Sequence, residues 1–158
     1  SVIGMNTVEH CNALIDDALA KGATLLCGGK ASNTLMAATV LDHVTPAMRI
    51  YHEETFGPVK CVVRVNGVDE AVACANDNEY GLSSAVFGAD IARAFNVARR
   101  IDSGICHVNG PTVHDEAQMP FGGVKGSGMG RFGGKAGVAE FTELRWITLQ
   151  TTPRHYPF

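Results

Sequence analysis

Cys61-Val62-Val63-Arg64-Val65, then Asp69-Glu70-Ala71-Val72-Ala73-Cys74-Ala75, then Ser84-Ala85-Val86-Phe87, then Asp90 to Ile101, and last Ile105-Cys106-His107-Val108-Asn109 make up the stretch that decides the fold. The β-branched run from Cys61 predicts a buried strand. Asp69 caps a helix whose apolar residues are Val72, Ala73 and Ala75, and Tyr80-Gly81 breaks the chain before the next strand. From Asp90 to Ile101, Ile91, Ala94, Phe95, Ala98 and Ile101 share one helical face. Strand, helix, strand, helix, strand is the rhythm of an α/β protein with a doubly wound parallel sheet.

N-terminal to this stretch, Asn6 with Glu9 three residues on has the spacing of a capping box. It opens a helix in which Val8, Cys11, Leu14, Ile15, Ala18 and Leu19 form one face and Lys21-Gly22 closes the last turn. Short strands are predicted at Ala23 to Cys27 and Ala38 to Leu41, with a polar loop, Lys30 to Thr34, between them. C-terminal to the stretch the alternation stops. A polar loop runs from Asn109 to Gln118, and Gly122 to Gly134 holds seven glycines in thirteen residues. A short helix is predicted near Ala136 to Phe141, then a strand from Thr142 to Gln150 carrying Trp146, Ile147 and Leu149. A strand at a chain end needs a neighbour. An edge strand of the same domain and an arm added to a partner's sheet fit the pattern equally.

At 158 residues and 16.7 kDa the length argues for one domain. Hydrophobic residues are 46% and charged residues 18%, which excludes a disordered chain. A formal net charge of −3 excludes the basic surface that nucleic acid or an anionic membrane requires. No apolar run is long enough to span a bilayer, so the chain reads as soluble. The five cysteines, Cys11, Cys27, Cys61, Cys74 and Cys106, show no C-x-x-C spacing, which argues against a zinc or disulfide framework and for a reducing cytoplasm. Low charge with 18 glycines suggests that part of the surface is covered, by an assembly or by a missing partner segment.

Three motifs invite chemistry. Gly128-Met129-Gly130-Arg131-Phe132-Gly133 matches G-x-G-x-x-G but lacks the preceding strand and long helix of a dinucleotide site, so it reads as a closely packed turn. Cys106 and His107 are neighbours on a strand and point to opposite faces, which rules out a direct thiolate–imidazole pair. The histidines show no metal-ligand spacing. His52-Glu53-Glu54-Thr55-Phe56-Gly57-Pro58 sets two carboxylates before an aromatic residue and a turn into the Cys61 strand. In the crevice beyond the strand ends, such a carboxylate can hold sugar hydroxyls of a cofactor, and a solvated acidic turn fits the same residues. His114-Asp115-Glu116, on a loop after a strand, is open in the same way.

Glu53-Glu54-Thr55-Phe56-Gly57-Pro58-Val59 resembles the E-E-x-F-G-P-V signature of the NAD(P)-dependent aldehyde dehydrogenase superfamily. Asp69-Glu70-Ala71-Val72, Ala75-Asn76, Tyr80-Gly81-Leu82-Ser83, Gly104-Ile105-Cys106-His107-Val108-Asn109 and Pro120-Phe121-Gly122-Gly123-Val124-Lys125-Gly126-Ser127-Gly128 resemble further family segments in the same order. Phe132-Gly133-Gly134-Lys135-Ala136-Gly137 and Phe141 to Thr148 are most similar to salicylaldehyde, benzaldehyde and vanillin dehydrogenases.

The resemblance implies oxidation of an aromatic aldehyde to its acid with NAD or NADP, through a cysteine nucleophile and a glutamate base. The family contexts of those two residues, G-Q-x-C and E-L-G-G-K, have no counterpart here, so no catalytic residue is assigned. The chain is expected to be a C-terminal fragment without the Rossmann domain, inactive alone. Residues 1–141 would be part of the catalytic domain and residues 142–158 an oligomerisation strand and tail, which favours the arm over the edge strand. By the same resemblance Glu54 would hold the nicotinamide ribose, Phe56 would pack on the nicotinamide, and Thr112, His114 and Phe121 would line the aldehyde tunnel. The rival expectation is a self-association module that keeps the fold without the chemistry.

Overall fold

The computed structural model describes residues 1–157 and forms two compact units, Ser1–Cys74 and a second from Ala75 onward. In the first, helix α1 (Met5–Ala20) is followed by β1 (Thr24–Cys27), β2 (Thr39–Asp42), the single turn α2 (Arg49–His52) and β3 (Val59–Cys61). Helix α3 (Val68–Asn76) carries the chain into the second unit. There follow β4 (Tyr80–Gly81), β5 (Ser83–Val86), α4 (Ile91–Ala98), β6 (Ile105–Val108), β7 (Val124–Lys125) and α5 (Gly134–Glu140).

The core of the first unit is the α1 face read from its periodicity. Cys11, Leu14, Ile15 and Ala18 are buried against Leu41, Val44, Met48, Ile50 and Val59. The three strands order β1-β2-β3, antiparallel between β1 and β2 and parallel between β2 and β3. Two expectations change. The helix starts at Met5 with extended Gly4 as its N-cap and no side-chain cap bond, so Asn6 lies inside the first turn and cannot form a capping box. The ladder of β3 runs over Val59–Cys61 rather than Cys61–Val65, and only Val59 is buried. β3 is an edge strand of the three, and just past its end Arg64 pairs with Asp42 at 2.6 Å.

The second unit carries the other parallel ladder, β5 with β6 in the register Ser83↔Ile105 to Val86↔Val108, and a short antiparallel one, β4 with β7. Parallel strands joined through helices give the α/β class that the alternation predicts. Asp90 caps α4 by accepting from the Arg93 amide at 3.0 Å. Ala94 and Ala98 on α4 are buried, whereas Phe95 and Ile91 of the same expected face are more than half exposed. Gly104 is required where it stands, since a Cβ would overlap the Gly122 carbonyl.

Residues 142–150, expected as a strand, pair with no strand among the described residues, and Leu144, Trp146, Ile147 and Leu149 are almost fully exposed. A strand exists only through its ladder, so propensity alone leaves this segment irregular. An edge strand within this chain's own sheets is thereby excluded. No helix among the described residues is long and apolar enough to cross a membrane.

Candidate functional sites

The turn between α2 and β3 separates its two carboxylates. Arg49, on the last turn before the loop, donates Nε and Nη2 to the two oxygens of Glu53 at 2.7 and 2.9 Å. This bidentate bond holds the Glu53 carboxyl below the usual carboxylate range. Glu54 is left over. Among the described residues nothing engages its carboxylate, while its backbone carbonyl accepts from His10 Nε2 at 2.9 Å. On the next turn position Cys11 Sγ donates to the Thr55 carbonyl at 3.3 Å, and burial pushes the Cys11 thiol up, keeping the S–H that makes the bond. Two consecutive residues of α1 thus anchor two consecutive carbonyls of the loop.

The anchored turn throws Phe56 outward. Its φ is +48°, a left-handed conformation unusual for a bulky residue, and its side chain is 79% exposed. Thr55 Oγ1 closes the turn by accepting from the Gly57 amide at 3.4 Å. Met36, Glu54, Phe56, Pro58 and Lys60 line an open cavity of about 720 Å³. A free carboxylate beside an exposed aromatic ring suits a diol attached to a flat ring. The loop leads into the N-terminal end of β3, which places these carboxylates beyond an end of that strand.

In the second unit the loop after β6 is pinned at its start. Asn109, at φ +57°, accepts from the Gly88 amide and donates to the Gly88 carbonyl at 2.8 and 2.9 Å. Ser83 Oγ donates to the Thr112 carbonyl at 2.8 Å. At the far end, Phe121 and Phe132 exchange two backbone hydrogen bonds at 2.8 and 2.7 Å. Between these pins lies a cavity of about 390 Å³ lined by His107, His114, Glu116, Met119 and Phe121 among others. His114 and Phe121 share this cavity, and Thr112 is not part of its lining.

Two further residues of this cavity, both weighed in the sequence without an assigned role, meet His114. His107, set aside as a partner for Cys106, meets His114 edge to face with ring centroids 5.6 Å apart. Glu116 Oε1 lies 3.4 Å from His114 Nε2, a pairing that the His-x-Glu spacing could have suggested. The Gly128–Gly133 stretch is a packed turn. A Cβ on Gly133 would overlap the Met119 carbonyl, and the Arg131 amide donates to Glu140 at 3.1 Å. Among the described residues no group of three or more His, Cys, Asp or Glu could hold a metal ion.

Comparison with known proteins gives one consistent result. The family model "Aldehyde dehydrogenase family" matches residues 1–147. A vanillin dehydrogenase of Pseudomonas sp. strain HR199 is 55% identical over 157 residues, covering 99% of this chain and 33% of the relative. A salicylaldehyde dehydrogenase of Pseudomonas putida is 52% identical over 157 residues, with 99% and 32% covered. Among solved structures, a salicylaldehyde dehydrogenase from Pseudomonas putida G7 in complex with salicylaldehyde superposes with a TM-score of 0.88 at 53% identity, covering 97% of this chain and 32% of that one. The chain spans about a third of the length of the curated relatives it matches.

Proposed function

This chain belongs to the aldehyde dehydrogenase family, and from that premise we propose that it supplies two parts of a site that oxidises an aromatic aldehyde to its carboxylic acid, with NAD or NADP as acceptor. The observation that carries the reading is the division between neighbouring carboxylates. Glu53 is held by Arg49, and Glu54 stands free beside the outward ring of Phe56. Glu54 would accept hydrogen bonds from the two hydroxyls of the nicotinamide ribose, and Phe56 would lie against the nicotinamide. The bound dinucleotide contributes a ring able to accept a hydride. Glu54 fixes the sugar to which that ring is attached, and Phe56 limits its tilt.

His114 and Phe121 form part of the wall that receives the aldehyde, with Thr112 on the same loop. The relatives that act on vanillin and salicylaldehyde support a ring-bearing substrate. No cysteine of this chain is assigned as nucleophile, and these 158 residues by themselves are read as inactive. Five free cysteines suit a reducing cytoplasm. Residues 142–150 are read as an arm that adds a strand to a second copy of the protein, supported by their exposed Trp146, Ile147 and Leu149.

The test is NADH or NADPH formation by the full-length gene product with salicylaldehyde. A chimera serves as a second vehicle, with this chain replacing the matching third of the Pseudomonas putida salicylaldehyde dehydrogenase. Glu54→Gln is expected to raise the KM for the dinucleotide about tenfold or more. An inactive chimera that folds and assembles overturns the catalytic reading and favours the self-association module. Turnover by these 158 residues alone would show that they carry their own nucleophile. Trp146→Glu is expected to dissociate the oligomer, and an intact oligomer would remove the arm from the interface.

A further inference from the structure

We propose that His114, oriented by Glu116 and His107, recognises a hydroxyl group on the ring of the aromatic aldehyde, an inference that rests on the aldehyde reading above. Glu116 Oε1 lies 3.4 Å from His114 Nε2, and because a carboxylate only accepts, this contact favours the tautomer with the ring proton on Nε2. The other oxygen of Glu116 accepts from Gln118 Nε2 at 2.5 Å, which holds the carboxylate in place. Among the described residues no group donates to His114 Nδ1, and in the neutral imidazole with its proton on Nε2 that nitrogen is the acceptor. A phenolic O–H is the donor that matches it.

The second imidazole sets the plane of the first. His107 stands at 89° to His114 with centroids 5.6 Å apart. Its own Nε2 is buried without a hydrogen-bond partner, a condition few polar atoms in folded proteins show. Ile105, Met119 and Phe121 supply apolar walls for a flat ring in the same cavity of about 390 Å³. The walls take the ring and the imidazoles read its edge. Because the His114 side chain is 55% exposed in this chain, the discrimination expected is moderate rather than absolute.

The test compares kcat/KM for 2-hydroxybenzaldehyde with that for benzaldehyde and for 2-methoxybenzaldehyde, whose ether oxygen cannot donate. In the full-length gene product or the chimera, the hydroxy compound is expected to be preferred. His114→Phe is expected to lower the ratio of hydroxy to unsubstituted aldehyde about tenfold, and Glu116→Gln about threefold. A ratio unchanged in His114→Phe overturns the hydroxyl site while leaving aldehyde oxidation standing. A wild type that oxidises neither aldehyde removes the underlying reading. The site is then decided by a binding measurement on this chain, in which phenol but not anisole is expected to move the His114 ring resonances. Equal responses to both, or to neither, refute it.

Discussion

Replacing Gly57 by alanine should press the loop that carries Glu54 and Phe56 against the core of the first unit. A Cβ on Gly57 would stand 2.5 Å from Cys11 Sγ, about 1 Å inside the ~3.5–4.0 Å optimum for non-bonded heavy atoms. Cys11 is fully buried on α1 and its sulfur is committed to the Thr55 carbonyl, so it cannot swing aside. Overpacking of this kind costs about 1–3 kcal/mol. Cys11→Ala alone removes one buried heavy atom and should cost about 1 kcal/mol, in the range of small core truncations. In the double variant the new methyl enters the space the sulfur left. The two changes should then cost less together than the sum of the singles, by at least about 1 kcal/mol. The assay is urea unfolding followed by far-ultraviolet circular dichroism, because the sole tryptophan, Trp146, is 90% exposed and does not report on this core. Additivity to within about 0.5 kcal/mol would refute the claim that the sulfur of α1 sets the position of the loop.

Phe56→Gly should leave stability unchanged or raise it by up to about 1 kcal/mol, because glycine accepts the left-handed backbone at +48° without strain. The same variant should weaken dinucleotide binding, so thermal unfolding and KM are measured together, and a loss of stability would show that the ring is a packing residue. Gly104→Ala places a methyl on the Gly122 carbonyl and should strip hydrogen-exchange protection from β5 and β6; retained protection would mean that the loop yields. The Arg64 guanidinium holds the Asp42 carboxyl at about 2, below its unfolded value of about 3.9. The sign of a lowered carboxyl pKa makes this contribution present above about pH 4 and lost as pH falls through about 2. Asp42→Asn should flatten that acid limb of the stability profile, and identical slopes in the two proteins would count against the ion pair.

What sequence reading resolved and what it missed divide along one line. The α1 face was legible because Val8, Cys11, Leu14, Ile15 and Ala18 repeat at helical spacing, and all five are buried. The choice between Glu53 and Glu54 had a signal too, since Arg49 lies four residues before Glu53 and can reach it within one helical turn. Strand length had none. The register of β3 with β2 runs from Thr39↔Val59 to Leu41↔Cys61, and no property of Val62–Val65 records that stop. The meeting of His107 and His114 depends on how a loop pinned by Asn109 and Phe121 folds back, and a seven-residue separation across a turn has no period to detect. Local patterns specify faces, while partners specify edges.

The same distinction bears on the amount of surface. The chain exposes 11237 Å², where a folded monomer of its mass exposes about 7,600 Å². Even two separate units of half that mass would expose about 9,200 Å² together, so the surplus does not depend on how the two units are arranged. At about 2,000 Å² it exceeds the ~800 Å² that one partner contributes to a standard interface. The unpaired, exposed segment around Trp146 contributes to that surplus. Phe87, Ile91 and Phe95, around α4, are all more than half exposed and belong to another part. Self-association through the C-terminal segment, as proposed above, would cover Trp146, Ile147 and Leu149, whereas the exposed Phe87, Ile91 and Phe95 lie outside that segment.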